Sequence, residues 1–273
     1  MLKNSKTKDY KIGVFDSGLG GLTVLKKFLK FVPGYYYIYL GDTARVPYGD
    51  KSPDIIYEYV TQAVDFLFRN GCQLVIIACN TASAQALRKL QQEWLPVHYP
   101  KRRVLGVIRP LAEATAQQPH GKTIGVIGTK ATTLSRAYEI EIKHLNPSLK
   151  VISQSAPLLV PLIEDGHAGK PETTLILKDY LKPLQKVDVL ILACTHYPFL
   201  HNQIKKIMGP EVTIPDTGKL VALSLKDYLN RHRVLPATAT KVEFYTTDNP
   251  KPFKKLAEKF LGSEIKKISQ IKL

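Results

Sequence analysis

The chain has 273 residues, 44% apolar and 9% aromatic, which suits one large or two moderate domains with a sizeable core. No apolar run is long enough to span a membrane, and the polar start MLKNSKTKDYK lacks the apolar core of a signal peptide. Three cysteines without paired spacing point to free thiols in a reducing cytoplasm, not to a disulfide framework.

The formal charge of +16 has two readings, a nucleic-acid footprint or a lysine-rich wet surface. The lysines are spread out, and aromatics do not interleave with them as stacking platforms would. Where they concentrate, at 251–273, Phe253, Leu256, Phe260 and Leu261 recur at helical spacing. The lysines there read as the wet face of an ordinary helix, so no nucleic-acid partner is expected.

In chain order, KIGVFDSG predicts a strand running into a glycine turn, LTVLKKFLKFV a helix and YYYIYLGD a strand. SPDIIYEYVTQAVDFLFRNG predicts a helix capped by Ser52, opened by Pro53 and ended by Gly71. CQLVIIACN predicts a strand, ASAQALRKLQQEW a helix and RRVLGVIRP a strand. KTIGVIGT, KVISQSA and VDVLILACT predict further strands, separated by the helices ATTLSRAYEIEIKHL and ETTLILKDYLKPLQ. FLHNQIKKIMG and KLVALSLKDYLNRH predict helices around a short strand EVTIPDT, and TKVEFYTTD predicts a late strand before the final helix. This alternation argues α/β with largely parallel sheets, and several strands are unbroken apolar runs, as when helices cover both faces.

A weak repeat runs through the pattern. IGVFDSG begins at Ile12 and IGVIGTK at Ile124, 112 residues on; Cys79 and Cys194, each after an apolar run and an alanine, are 115 apart. Two similar α/β halves would each bring one cysteine to the carboxyl edge of a sheet, where open α/β sheets bind ligands.

Two nucleotide motifs fail. FDSGLGGLT has Thr23 where a dinucleotide fingerprint needs glycine, and GKT at 121–123 has Ala116 where a P-loop needs one. What remains at Asp16-Ser17 is either a plain strand-to-helix turn or a site for a carboxylate, with glycines allowing close backbone approach. Cys72, without polar company, reads as a core residue. Cys79 precedes Asn80-Thr81, and Cys194 precedes Thr195-His196. No CxxC or clustered histidines build a metal site, and a lone cysteine nucleophile would leave the other cysteine unexplained. Two thiols facing each other across one pocket suit racemisation, one taking a proton from a carbon acid and the other returning one to the opposite face.

GVFDSGLGGLTVL, GDTARVPYG (41–49), ACNTASA (78–84), PLLVPLIEDG (157–166) and ACTHYPFL (193–200) together resemble the glutamate racemase family. The resemblance implies cofactor-independent interconversion of L- and D-glutamate, supplying D-glutamate for bacterial peptidoglycan and so for cell-wall biogenesis and cell shape. It implies two similar α/β domains with the active site between them, drawn here as 1–104 plus 215–273 and as 105–214. Cys79 and Cys194 would be the two bases, with Asp16 assisting near Cys79 and Glu164 and His196 near Cys194. Asp16, Ser17, Tyr48, Gly49, Asn80, Thr81, Thr195 and His196 would line the glutamate site. Family analogy has Cys79 take the proton from D-glutamate and Cys194 from L-glutamate. Thr129 and Thr132 read equally as substrate contacts and as helix caps.

No cofactor and no metal are expected. The family often dimerises, which implies a homodimer, although no stripe in this sequence identifies an interface. Arg109 stands in GVIRP where the family commonly has an acid, and Ala156 where it commonly has a cysteine. The chain starts eleven residues before its first strand, so activation by a wall precursor through an N-terminal extension is not expected. A racemase of the same fold acting on aspartate is the nearer alternative, and nucleic-acid binding the more distant one.

Overall fold

The structure is a computed structural model and describes residues 10–273. The polar start, residues 1–9, lies outside the described residues. The strands in chain order are β1 (Lys11–Asp16), β2 (Tyr36–Gly41), β3 (Leu74–Ile77), β4 (Arg103–Gly106), β5 (Thr123–Gly128), β6 (Lys150–Ser155), β7 (Val189–Ala193), β8 (Lys241–Thr246) and β9 (Ser269–Gln270). They form a six-stranded sheet in the order β4-β3-β1-β2-β8-β9 and a three-stranded sheet in the order β6-β5-β7. Every pairing is parallel.

Parallel neighbours need crossover connections, which helices supply. Leu22–Phe31 and Pro53–Arg69 link β1, β2 and β3, while Ala137–Leu145 and Pro171–Leu181 link β5, β6 and β7. Both units place the first strand in the middle, the second on one side and the cysteine strand on the other. The weak repeat in the sequence is therefore a repeated β-α-β-α-β unit, and the two sheets differ mainly in the strands added around it.

All residues of β3 and β7 are buried, which explains their unbroken apolar runs. Each large aliphatic side chain so buried contributes about 1.5–3 kcal/mol. One apolar cluster takes in Ile12 and Val14 of β1 together with Ile124 and Val126 of β5. Helix Thr217–Arg231 carries it across, packing on Leu22–Phe31 and on Ile108–Ala116. A second cluster lies under the other face of the larger sheet, joining Phe15, Val75 and Ile77 to Ile56, Val60 and Val64.

Ser52 caps helix Pro53–Arg69 by accepting from the Ile55 N–H, as the sequence indicates. Several readings change. The helix expected over ATTLSRAYEIEIKHL is two, Lys130–Leu134 and Ala137–Leu145, broken where Arg136 turns to a left-handed conformation, and the short strand β9 had no expected counterpart. RRVLGVIRP is not one strand: β4 stops at Gly106 and helix Ile108–Ala116 follows. Pro110 sits in its first turn, where the missing N–H has no intrahelical acceptor to lose. EVTIPDT reduces to a single bridge between Thr213 and Val189, since Pro215 cannot donate to a ladder. The helix after Cys79 runs in pieces to His98, with a π-turn at Leu90–Trp94 just before Pro96, which has no N–H to continue the regular ladder. A short helix, Leu159–Glu164, stands in a stretch with no predicted element.

Candidate active site

Four carboxyl-terminal strand ends converge. The residues just after β1, β3, β5 and β7 open on one cavity of about 260 Å3. Its lining includes Ser17 from the first, Cys79, Asn80 and Thr81 from the second, Thr129 from the third, and Cys194, Thr195 and His196 from the fourth. Tyr48, Gly49 and Glu164 complete the residues that the sequence singled out and the cavity gathers. Asp16 and Thr132 do not line it; both are buried directly behind lining residues. Lining residues that the sequence did not single out are Gly18, Val46, Pro47, Asp50, Lys130, Pro157, Val160 and Pro161. Two larger cavities, of about 540 and 420 Å3, contain neither Cys79 nor Cys194.

Cys79 is the N-cap of helix Asn80–Gln85, and its Sγ accepts from the Ala82 N–H at 3.5 Å. The Ser17 hydroxyl lies 3.4 Å from the same sulfur. Burial pushes the Cys79 thiol up to about 12, with the nearby Asp16 adding to the rise; Ser17 and the Ala82 N–H pull against it. Asp16 is itself raised, chiefly by burial, against the pull of His196 and the N–H groups of Gly21 and Gly18. Gly18 N–H donates to its Oδ2 at 3.0 Å, while Oδ1 has no hydrogen-bond partner among the described residues.

Cys194 is surrounded differently. Its Sγ lies 3.8 Å from His196 Nδ1, and His196 Nε2 lies 2.8 Å from Glu164 Oε1. Burial would lower the imidazole, but hydrogen bonds to Cys194 and Glu164 outweigh it and raise His196 to about 10. Both neighbours favour the protonated ring, which in that form would stabilise negative charge on the sulfur. Its edge packs on Phe260, 5.6 Å between centroids.

The polar walls are fastened from behind. Tyr138 OH donates to Asn80 Oδ1 at 2.6 Å, and Asn80 Nδ2 is left without a partner among the described residues. Thr81, Thr129 and Thr132 form a triangle of hydroxyls at 2.8, 2.9 and 3.2 Å, joining the end of β3 to the end of β5. Thr129 also caps the helix Lys130–Leu134. Two glycines permit the closest approaches. A Cβ on Gly20 would run into the Thr195 hydroxyl and meet His196 Nδ1 at 2.6 Å, and one on Gly21 would meet Asp16 Cβ at 2.5 Å. Arg109 lies outside the cavity and bridges two helices by bonding Glu113 at 2.8 Å and Glu141 at 3.0 Å. Among the described residues no group of three or more His, Cys, Asp or Glu could hold a metal ion, and no helix is long and apolar enough to cross a membrane.

This frame and cavity are those of a racemase. Residues 12–222 match the family model described as Asp/Glu/Hydantoin racemase, and the chain belongs to that family of amino-acid racemases. It is 40% identical over 258 residues to the glutamate racemase of Chlorobaculum parvum, which is 93% of each chain. The structure superposes on glutamate racemase isoform RacE1 from Bacillus anthracis with a TM-score of 0.89 at 36% identity, covering 97% of this chain and 98% of that one. It also superposes on the Francisella tularensis glutamate racemase in complex with D-glutamate, with a TM-score of 0.88 at 34% identity, covering 96% and 97%.

Proposed function

We propose that this protein interconverts L- and D-glutamate without a cofactor, with Cys79 and Cys194 as the two proton-transfer groups. The observation that carries the reading is the pair of cysteines, each at the end of the equivalent strand of a repeated unit and both on one cavity. The relatives named as glutamate racemases support the choice of substrate. In the L-to-D direction, Cys194 as thiolate takes the Cα proton while the cationic His196 offsets its charge. Cys79, a thiol that burial keeps protonated, gives its proton to the opposite face. Cys194 ends as the thiol and Cys79 as the thiolate, and proton exchange resets the pair. In the D-to-L direction Cys79 is the base, aided by the Ser17 hydroxyl and the Ala82 N–H. Asp16 assists on the Cys79 side, its carboxyl raised above the ordinary value by burial.

Glutamate is held, in this reading, by Ser17, Tyr48, Gly49, Asn80, Thr81, Thr129, Thr195 and His196, with Thr132 acting through Thr81. Buried, preset donors around the α-carboxylate stabilise charge as the carbanion develops. We read the two sheets as the cores of two domains whose closure excludes water; the expected bounds, 1–104 plus 215–273 and 105–214, need one correction, because β4 pairs into the larger sheet as far as Gly106 and carries the first boundary past it. In this reading the protein works in the cytoplasm as a homodimer, and its product D-glutamate supplies peptidoglycan synthesis.

Proton NMR with L-glutamate in D2O and no added cofactor tests the reading. The Cα–H signal should vanish while D-glutamate accumulates, and Cys79→Ala or Cys194→Ala should abolish racemisation. L-Aspartate run alongside should turn over far more slowly. A persistent glutamate signal, or near-normal racemisation in either cysteine variant, refutes it.

A further inference from the structure

Asp42 follows β2 and is fully buried, yet it does not line the cavity. Its carboxylate is surrounded by donors. Arg45 Nε donates to Oδ2 at 2.6 Å, and Tyr48 OH donates to the same oxygen. Thr247 Oγ1, just past β8, donates to Oδ1 at 2.8 Å. The Arg45 guanidinium is fixed in turn, stacked 4.0 Å over the Tyr59 ring and bonded to Gln62, both on helix Pro53–Arg69. Ala44 N–H donates to Thr247 Oγ1 at 3.0 Å, and the Thr43 and Thr246 hydroxyls meet at 2.6 Å. Segment 43–50 is therefore tied through one carboxylate to the end of β8 and, through Arg45, to the helix behind it.

That segment supplies Val46, Pro47, Tyr48, Gly49 and Asp50 to the cavity wall. It also abuts the other sheet's unit, since a Cβ on Gly49 would meet Thr129 Cβ at 3.1 Å. An ionised carboxylate is a pure acceptor and can satisfy all three side-chain donors at once. An amide in its place would turn an NH2 group toward at least one of them, at a position fully buried from solvent.

We propose that Asp42 is a positioning residue for substrate binding: its buried carboxylate holds segment 43–50 in the shape that forms one wall of the cavity, without touching the substrate. The proposal rests on the reading that this cavity binds glutamate. Because Asp42 reaches neither cysteine, its loss acts on substrate binding and leaves the proton-transfer groups in place.

The test compares KM and kcat for L-glutamate in wild-type protein, Asp42→Asn and Thr247→Val, with thermal unfolding run on each. Asp42→Asn should raise KM by about tenfold, as expected for loss of a charge-assisted hydrogen bond, with kcat changed less than about threefold. Thr247→Val keeps the ion pair but removes one donor to Asp42 and the acceptor of the Ala44 N–H, so KM should rise by roughly threefold with kcat unchanged. A folded Asp42→Asn variant with unchanged KM overturns the proposal, as does a variant whose loss lies in kcat alone. If Asp42→Asn does not fold, Thr247→Val decides by the same split. A wild-type protein inert toward glutamate overturns the functional reading and this proposal together, whereas an active wild type with unaffected variants overturns the anchor alone.

Discussion

Gly20 offers a sharp test of how the Cys194 side is assembled. In Gly20→Ala the new methyl group would run first into the Thr195 hydroxyl and would also lie 2.6 Å from His196 Nδ1 and 2.7 Å from its Cε1, so both Thr195 and His196 are pressed away from the loop. One partner must move. The glycine loop is held by Tyr39 OH to Gly18 O at 2.9 Å, by Gly18 N–H to Asp16, and by Thr23 Oγ1 to Gly20 O at 2.8 Å. His196 is held by Glu164 at 2.8 Å and by the Phe260 ring. Overpacking of this kind costs about 1–3 kcal/mol of stability, and displacing a reacting group by about 1 Å costs roughly 10²-fold in rate. Gly20→Ala should therefore fold, melt lower, and exchange the Cα proton of glutamate about a hundredfold more slowly. Proton NMR in D2O reads the rate and thermal unfolding reads the stability. Gly169→Ala is the control, since its Cβ meets nothing within 4 Å. A folded Gly20→Ala variant within about threefold of the wild-type rate would falsify the idea that close backbone approach sets His196 against Cys194.

Tyr138→Phe removes the donor to the buried Asn80 Oδ1 and should cost about 1–3 kcal/mol in urea unfolding, with weaker D-glutamate binding; unchanged values for both would deny Asn80 its need of a fixed orientation. His196, raised from 6.5 to about 10, binds its proton more tightly in the folded state than in the unfolded one. Its stabilising contribution is complete below about pH 6.5 and is lost as pH rises toward 10, so wild type should lose more stability over that window than His196→Asn. Equal slopes in the two proteins would count against the charged imidazole. Glu164→Gln leaves an amide oxygen to accept from the ring but removes the negative charge beside it, so ring-proton NMR should find His196 titrating lower; an unmoved titration would count against Glu164 as a cause of the shift.

Features carried by local pattern were legible in the sequence. The apolar runs before Cys79 and Cys194 are fully buried parallel strands, so both cysteines fall at carboxyl ends, where a ligand site is expected. The repeat of IGV with a cysteine strand corresponds to a shared strand order. Features that depend on distant partners were not legible. Nothing near Asp42 announces that Thr247, 205 residues away, will bond its carboxylate, or that Tyr138 will orient Asn80. RRVLGVIRP misled because apolar, β-branched residues continue past Gly106, and the change to a helix is set by packing against Thr217–Arg231 and Ala137–Leu145. The glycines at 20 and 21 read as turn residues; Gly21 meets Asp16 within its own loop, but the proximity of Gly20 to His196 exists only once the two units face each other.

The repeated unit also has a thermodynamic consequence. Mirror-image amino acids are equally stable in water, so the equilibrium constant for their exchange is unity whatever the protein does. In the proposed mechanism, a matching pair of strand ends lets one centre approach the same carbon from both sides. Yet the two sulfurs have unlike company, a hydroxyl and a helix N–H for Cys79, an imidazolium for Cys194. That inequality cannot favour either hand overall, because kcat/KM must be the same in both directions. It can only be divided between turnover and saturation, so an enantiomer that is processed faster at high concentration must also be held more loosely. Chemical asymmetry around the two thiols is thus confined to setting the concentration at which each direction saturates.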